Sequence, residues 1–139
     1  MQPLSDHKTT TISKKEIQNV VTVILNSDNI LEVKWNEALT EIEKDHIIQV
    51  RDFVGEFGKG KKMLTYFDTY NFMFITPEAR TYAGTKEASD YTLANAVLID
   101  SLPKKILFNF VMRINKPVVP TKGFSSKEEA MNWLKQFQI

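Results

Sequence analysis

Pro117 and Pro120 divide the last third of the chain and limit what it can form. A proline drives the residue before it out of the α region, so any helix upstream must stop by Asn115. Upstream, Ile106, Leu107, Phe110, Val111 and Ile114 fall at i, i+1, i+4, i+5 and i+8. That spacing predicts one apolar helical stripe turned to a core, with Phe108 and Met112 flanking it. Ser101 suits its N-cap and Pro103 its first turn, where a missing N–H does no harm. Val118, Val119 and Pro120 then run extended, as an edge strand or partly a loop, because neither proline can donate to a ladder. Ser125 followed by Glu128 makes a capping box. It opens a last helix with Ala130, Trp133, Leu134 and Phe137 on its apolar side.

The rest of the chain alternates between strand and helix signals. Met1 to about Lys14 is polar and rich in Ser and Thr, and reads as a mobile arm before a single domain at 15–139. Glu16 to Leu25, dominated by Val20, Val21, Val23 and Ile24, reads as a strand. The cluster Asn26 to Asn29 reads as a turn. Leu31, Val33 and Trp35 alternate with Glu32 and Lys34, completing an antiparallel hairpin. Thr40 and Glu43 frame a capping box for a helix carrying Ile47, Val50, Val54 and Phe57. Gly55, Gly58 and Gly60 bring it to an end. Lys62 to Asp68 is a strand, and Thr76-Pro77-Glu78 is a helix start. Ala94 to Ile99 is a short apolar run suited to a strand covered on both faces. The expected fold is α/β: a mixed, mostly parallel sheet with an N-terminal antiparallel hairpin and helices packed on it.

Composition excludes several functions. The 139 residues carry 18 Lys and Arg against 17 Asp and Glu, so nucleic acid is not the expected partner. Cysteine is absent, which removes disulfides, thiol nucleophiles and thiolate metal sites together. No apolar run approaches the length of a membrane span, and the N-terminus lacks a signal-peptide core. A cytoplasmic location is expected. His7 and His46 are placed for neither a metal site nor a triad, and no metal or cofactor is expected. Glu41, Glu43 and Asp45 are explained by a helix N-terminus. Gly58-Lys59-Gly60-Lys61 lacks P-loop spacing. No nucleophile has an evident base, so the chain is not expected to be an enzyme.

Thr76 to Arg80, Asn109-Phe110, Asn115-Lys116-Pro117 with Pro120-Thr121 and Phe124, and Glu128 to Ala130 with Trp133-Leu134 together resemble a known pattern. It is that of the STAS-like superfamily of sporulation anti-sigma-factor antagonists (SpoIIAA-like), and within it an uncharacterised bacterial STAS/SEC14-like group. The resemblance covers about Ile30 to Phe137. It implies a SpoIIAA-like fold and a binding or regulatory role rather than a reaction. Members with a phosphorylated switch carry Asp-Ser-Ser/Thr-Gly after the third strand. Here that place reads Asp68-Thr69-Tyr70-Asn71, without glycine, and Thr76 serves as a helix cap.

The candidate site gathers at the C-terminal edge of the parallel strands, where open α/β folds bind ligands. Tyr66, Tyr70, Phe72 and Phe74 form an aromatic run with Phe67, suited to a lid over an apolar pocket or to transient membrane contact. Asp68 and Arg80 fall near the same edge. Asn109 and Arg113, with Lys116, line a polar helix stripe able to hold an anionic head group. Phe108, Met112 and Val118 are candidates for an interface with a second copy or a signalling partner. The leading expectation is a binding module for a small lipophilic or amphipathic ligand. The alternative is a STAS-type regulatory protein-interaction domain.

Overall fold

A computed structural model describes residues 8–69 and 74–138. Among the described residues, eight strands and four α-helices occur in the order β1 (Thr11–Ile17), β2 (Val21–Asn26), β3 (Ile30–Trp35), β4 (Glu41–Ile42), α1 (Lys44–Gly58), β5 (Met63–Thr69), β6 (Phe74–Ile75), α2 (Pro77–Ala83), β7 (Thr92–Leu98), α3 (Leu102–Ile114), β8 (Thr121–Phe124) and α4 (Lys127–Lys135). The main sheet has the order β1-β2-β3-β5-β7-β8. Its first two pairings are antiparallel and its last three parallel. β4 and β6 form a separate parallel pair. This is the mixed sheet with an antiparallel start that the sequence predicts.

The antiparallel start has three strands rather than two. Asn19 takes φ 65°, a left-handed turn that Asn tolerates, and splits the predicted first strand. Residues 11–14, read as part of a mobile arm, belong to β1 and pair with β2. The polar sequence of β1 hides it, since an edge strand exposed over most of its length has no apolar alternation to betray it.

Successive side chains of each strand alternate between two cores. On one face Val50 and Val54 of α1 pack against Val21, Val23, Leu31, Val33, Trp35 and Met63. On the other, Ala130, Met131 and Leu134 of α4 cover Ile30, Leu64, Tyr66, Ala94 and Ala96. Fully burying a side chain such as Leu134 contributes about 1.5–3 kcal/mol. Glu32, buried on the α4 face, accepts hydrogen bonds from Asn26 Nδ2 at 2.9 Å and Lys127 Nζ at 2.7 Å. That pairing satisfies a charge that would otherwise be stranded, and ties α4 to the sheet.

Two helix starts differ from expectation. α1 begins at Glu43 rather than Thr40, because Glu41 and Ile42 pair with β6. The capping box is Glu43 with His46, whose Nδ1 accepts from the Glu43 N–H at 3.0 Å. α4 is capped by Ser126, one residue beyond the predicted Ser125. Ser101 and Thr76 cap α3 and α2 as expected. The extended segment before Pro120 lies outside the ladder, and β8 starts at Thr121, at the sheet edge.

Candidate functional site

Helix α3 is apolar around most of its circumference, and this governs the site. None of its residues is fully buried. Leu107, Phe108, Val111 and Met112 turn inward, over the face of the sheet shared with α1. Ile106, Phe110 and Ile114 of the predicted buried stripe are instead exposed, together with Leu102. The correction has a physical cause. With apolar residues on most sides, periodicity cannot choose which arc faces in, and the flanking pair Phe108 and Met112 faces in together with Leu107 and Val111.

Between α3 and the sheet lies a cavity of about 240 Å³. Its walls are mainly apolar: Phe67 and Val97 from the sheet, Ile47 and Val54 from α1, and Leu107 and Val111 from α3. Gly123 lets Ile99 and Phe108 pack directly onto β8 at the cavity edge, since a Cβ there would meet Ile99 Cδ1 at 2.5 Å and Phe108 Cε2 at 3.1 Å.

The floor carries a strip of polar side chains. Thr65, Asn95 and Thr121 are register partners on β5, β7 and β8. Thr65 Oγ1 donates to Asn95 Oδ1, Asn95 Nδ2 donates to Thr121 Oγ1 at 3.2 Å, and Thr121 Oγ1 donates to the Val119 carbonyl at 3.0 Å. A carboxamide has two donor hydrogens and a two-lone-pair oxygen. These two bonds therefore leave Asn95 with donor and acceptor capacity at the cavity floor.

Lys104 stands at the cavity rim, where β5 and β7 end. Its ammonium donates to the Thr69 carbonyl at 2.6 Å and to Asp100 Oδ1 at 2.9 Å. The Lys104 hydrogen bond holds the Asp100 carboxyl below its ordinary value of 3.8. With three donors, Lys104 retains one for a guest. At the far wall Arg51 donates to the Glu87 carbonyl at 2.7 Å, pairs with Asp52 and Asp90, and stacks 4.5 Å from the Tyr91 ring.

The predicted site residues do not all converge on this cavity. Tyr66 and Asp68 alternate with the cavity-lining Phe67 and Thr69, and so point to the α4 face. Tyr66 is fully buried there beneath Lys127, and burial pushes its hydroxyl well above the ordinary value of 10.0. Arg80 donates to the Ile75 carbonyl at 2.9 Å and stacks 5.1 Å from the Phe110 ring. Asn109 and Arg113 are exposed on α3, and Phe74 and Val118 are exposed as well. Tyr70 and Phe72 lie outside the described residues. Thr69 lines the cavity, and Thr76 Oγ1 accepts from Ala79 N at 3.1 Å as a cap.

Sequence reasoning missed Thr65, Asn95, Thr121 and Lys104. A signal existed for Asn95, a lone carboxamide inside the apolar run Ala94 to Ile99. For Lys104 the only signal was its i+4 spacing from Asp100. Among the described residues no cluster of His, Asp and Glu is arranged to hold a metal ion. Nor is any helix long and apolar enough to cross a membrane.

A mixed sheet with an antiparallel start and four helices is the SpoIIAA-like, STAS-like fold. It is shared with the crystal structure of an uncharacterised DUF3478-family protein with a SpoIIAA-like fold from Shewanella loihica PV-4. That protein is 12% identical, the match covers 92% of this chain and 94% of that one, and the TM-score is 0.52. A protein of unknown function from Arthrobacter sp. FB24 is 22% identical, with 81% of this chain and 96% of that one covered and a TM-score of 0.32. No curated protein matches the chain. The chain belongs to the family described as a domain of unknown function, DUF7793, whose model matches residues 23–138.

Proposed function

We propose that this domain is a non-enzymatic binding module for a small amphipathic ligand, held between α3 and the sheet. The observation that carries the reading is the mainly apolar cavity of about 240 Å³ with spare hydrogen-bonding capacity at its Asn95 floor and its Lys104 rim, while the Arg51 guanidinium at the far wall is engaged by Glu87, Asp52 and Asp90. Small-molecule sites commonly combine apolar walls with a few placed polar groups. An apolar cavity of about 150 Å³ holds benzene, so this one suits a somewhat larger body. Asn95 and the Thr69–Lys104 contact are separated by about four residues of strand, roughly 13 Å. The ligand class that fits is an apolar chain or fused ring with an acidic or hydrogen-bonding head at Lys104. A second polar group near Asn95 would be accommodated.

The test is native mass spectrometry of the gently purified chain, followed by titration with a fluorescent fatty-acid probe. The expected result is a bound small molecule, or saturable probe binding, that is lost when Val97→Phe fills the cavity. A folded Val97→Phe variant that binds as the parent does would overturn the assignment, and so would a parent protein that binds neither.

A further inference from the structure

We propose that the outer face of α3 docks on an anionic lipid surface. Leu102, Ile106, Phe110 and Ile114 share that face, and all four are exposed. Ile106 is 61% exposed and Ile114 59%. Helical residues four apart stack along one side, so these four form a continuous apolar strip on a helix about 20 Å long. A helix apolar on both sides needs a partner on each. The cavity and the sheet lie on one side; on the other, Arg80 stacks over the Phe110 ring but leaves Leu102, Ile106, Phe110 and Ile114 all exposed.

Charge decides what that partner is. Residues 102–126 contain Lys104, Lys105, Arg113, Lys116 and Lys122 and no Asp or Glu, although the whole chain is nearly balanced. Lys105, Arg113, Lys116 and Lys122 are exposed. Within this segment every charged side chain beside the apolar strip is a base, and the acid just before it, Asp100, is paired with Lys104. A helix of this kind lies flat in the interface of a bilayer, its apolar side among the acyl chains and its bases at anionic headgroups. A second copy of the chain fits poorly. A two-fold contact would set this basic segment against itself with no acid of its own, from 102 to 126, to pair it.

This inference stands apart from the ligand reading, since the outer strip and the cavity wall use different residues of α3. Its test is flotation of the full chain with vesicles of phosphatidylcholine alone and of phosphatidylcholine with phosphatidylglycerol. The expected result is binding to the anionic vesicles at least about tenfold tighter than to the neutral ones, released by high salt. Ile106→Ser with Ile114→Ser, and separately Lys105→Glu with Arg113→Glu, should each weaken it by about tenfold or more. Both variants should keep the parent circular dichroism and probe binding, while Val97→Phe should keep vesicle binding. Equal binding to both vesicle types, no binding, or retention by either folded double variant would overturn the proposal. A dimer in solution that Ile106→Ser with Ile114→Ser splits, without vesicle binding by the parent, would assign the face to a second copy instead.

Discussion

Asn95 accepts a hydrogen bond from Thr65 across the β5–β7 ladder, and it does so on the face of the sheet that α3 leaves partly open. A side-chain bond in a mainly apolar wall is worth about 0.5–1.5 kcal/mol net. Thr65 has a second acceptor, the Ala94 carbonyl, but at 3.4 Å. We expect Thr65→Val and Asn95→Val each to lower stability by about 1 kcal/mol, with the double variant losing less than the sum. Urea unfolding of the four proteins measures the coupling. Strict additivity would show that the two side chains do not interact in solution.

Gly55 lies inside α1, where alanine would ordinarily be favoured by about 1 kcal/mol. Here an added Cβ would stand 2.7 Å from Tyr91 Cδ2 and Cε2. The ring cannot retreat freely, since the Arg51 guanidinium stacks 4.5 Å from its centroid and is itself tied to Asp90. Gly55→Ala should therefore destabilise, by about 1–3 kcal/mol, despite its helix propensity. Adding Tyr91→Ala should recover part of the loss. A stabilised Gly55→Ala variant would mean the ring yields without penalty.

Local rules made half of this molecule readable. Thr76, Ser101 and Pro117 mark helix ends through capping and backbone geometry that need only neighbouring residues. Leu31, Val33 and Trp35 alternate because β3 lies in the sheet interior, and their strand was legible for that reason. β1 was not, because its pairing depends on β2 rather than on its own pattern. The start of α1 was misplaced because Ile42 is claimed by β6, more than thirty residues on. The cavity was least legible of all. It exists where Thr65, Asn95 and Val111 are brought together from three elements, and no window of sequence contains all three. Apolar content could identify α3 as a helix, but only the tertiary fold determines that Leu107 faces the sheet and Ile106 faces out.

Tyr66 presents a fully buried hydroxyl with no hydrogen-bond partner among the described residues. Burial first, then the nearby Asp68 and Glu32 carboxylates, hold it protonated. The unfolded chain ionises near the ordinary value of 10.0, while the folded one resists. The contribution is intact below that pH and is lost as pH rises toward the folded value. Tyr66→Phe removes a polar atom that none of the described residues bonds, so we expect stability at pH 7 to be unchanged or to rise by up to about 1 kcal/mol. Between pH 9 and pH 11 the variant should lose less stability than the parent. A clear loss at pH 7 would reveal a bond to the hydroxyl.

The pair at the cavity rim behaves in the opposite sense. Lys104 Nζ lies 2.9 Å from Asp100 Oδ1, and this contact lowers the Asp100 carboxyl from its ordinary value of 3.8. As pH falls the unfolded chain takes up the proton first, so the contribution is complete above 3.8 and is lost as pH drops through the folded value. Asp100 is about half exposed, which keeps the effect in the range of a surface pair, about 0.2–1 kcal/mol. Asp100→Asn should therefore be less stable than the parent at pH 7 by that amount, and the gap should narrow as pH falls below 3.8. Because Lys104 also holds the Thr69 carbonyl, the variant should keep α3 in place and retain probe binding. Urea midpoints measured from pH 7 downward decide the matter. A gap that stays constant across the range would show that the Asp100 charge contributes nothing and that the asparagine acts through packing alone.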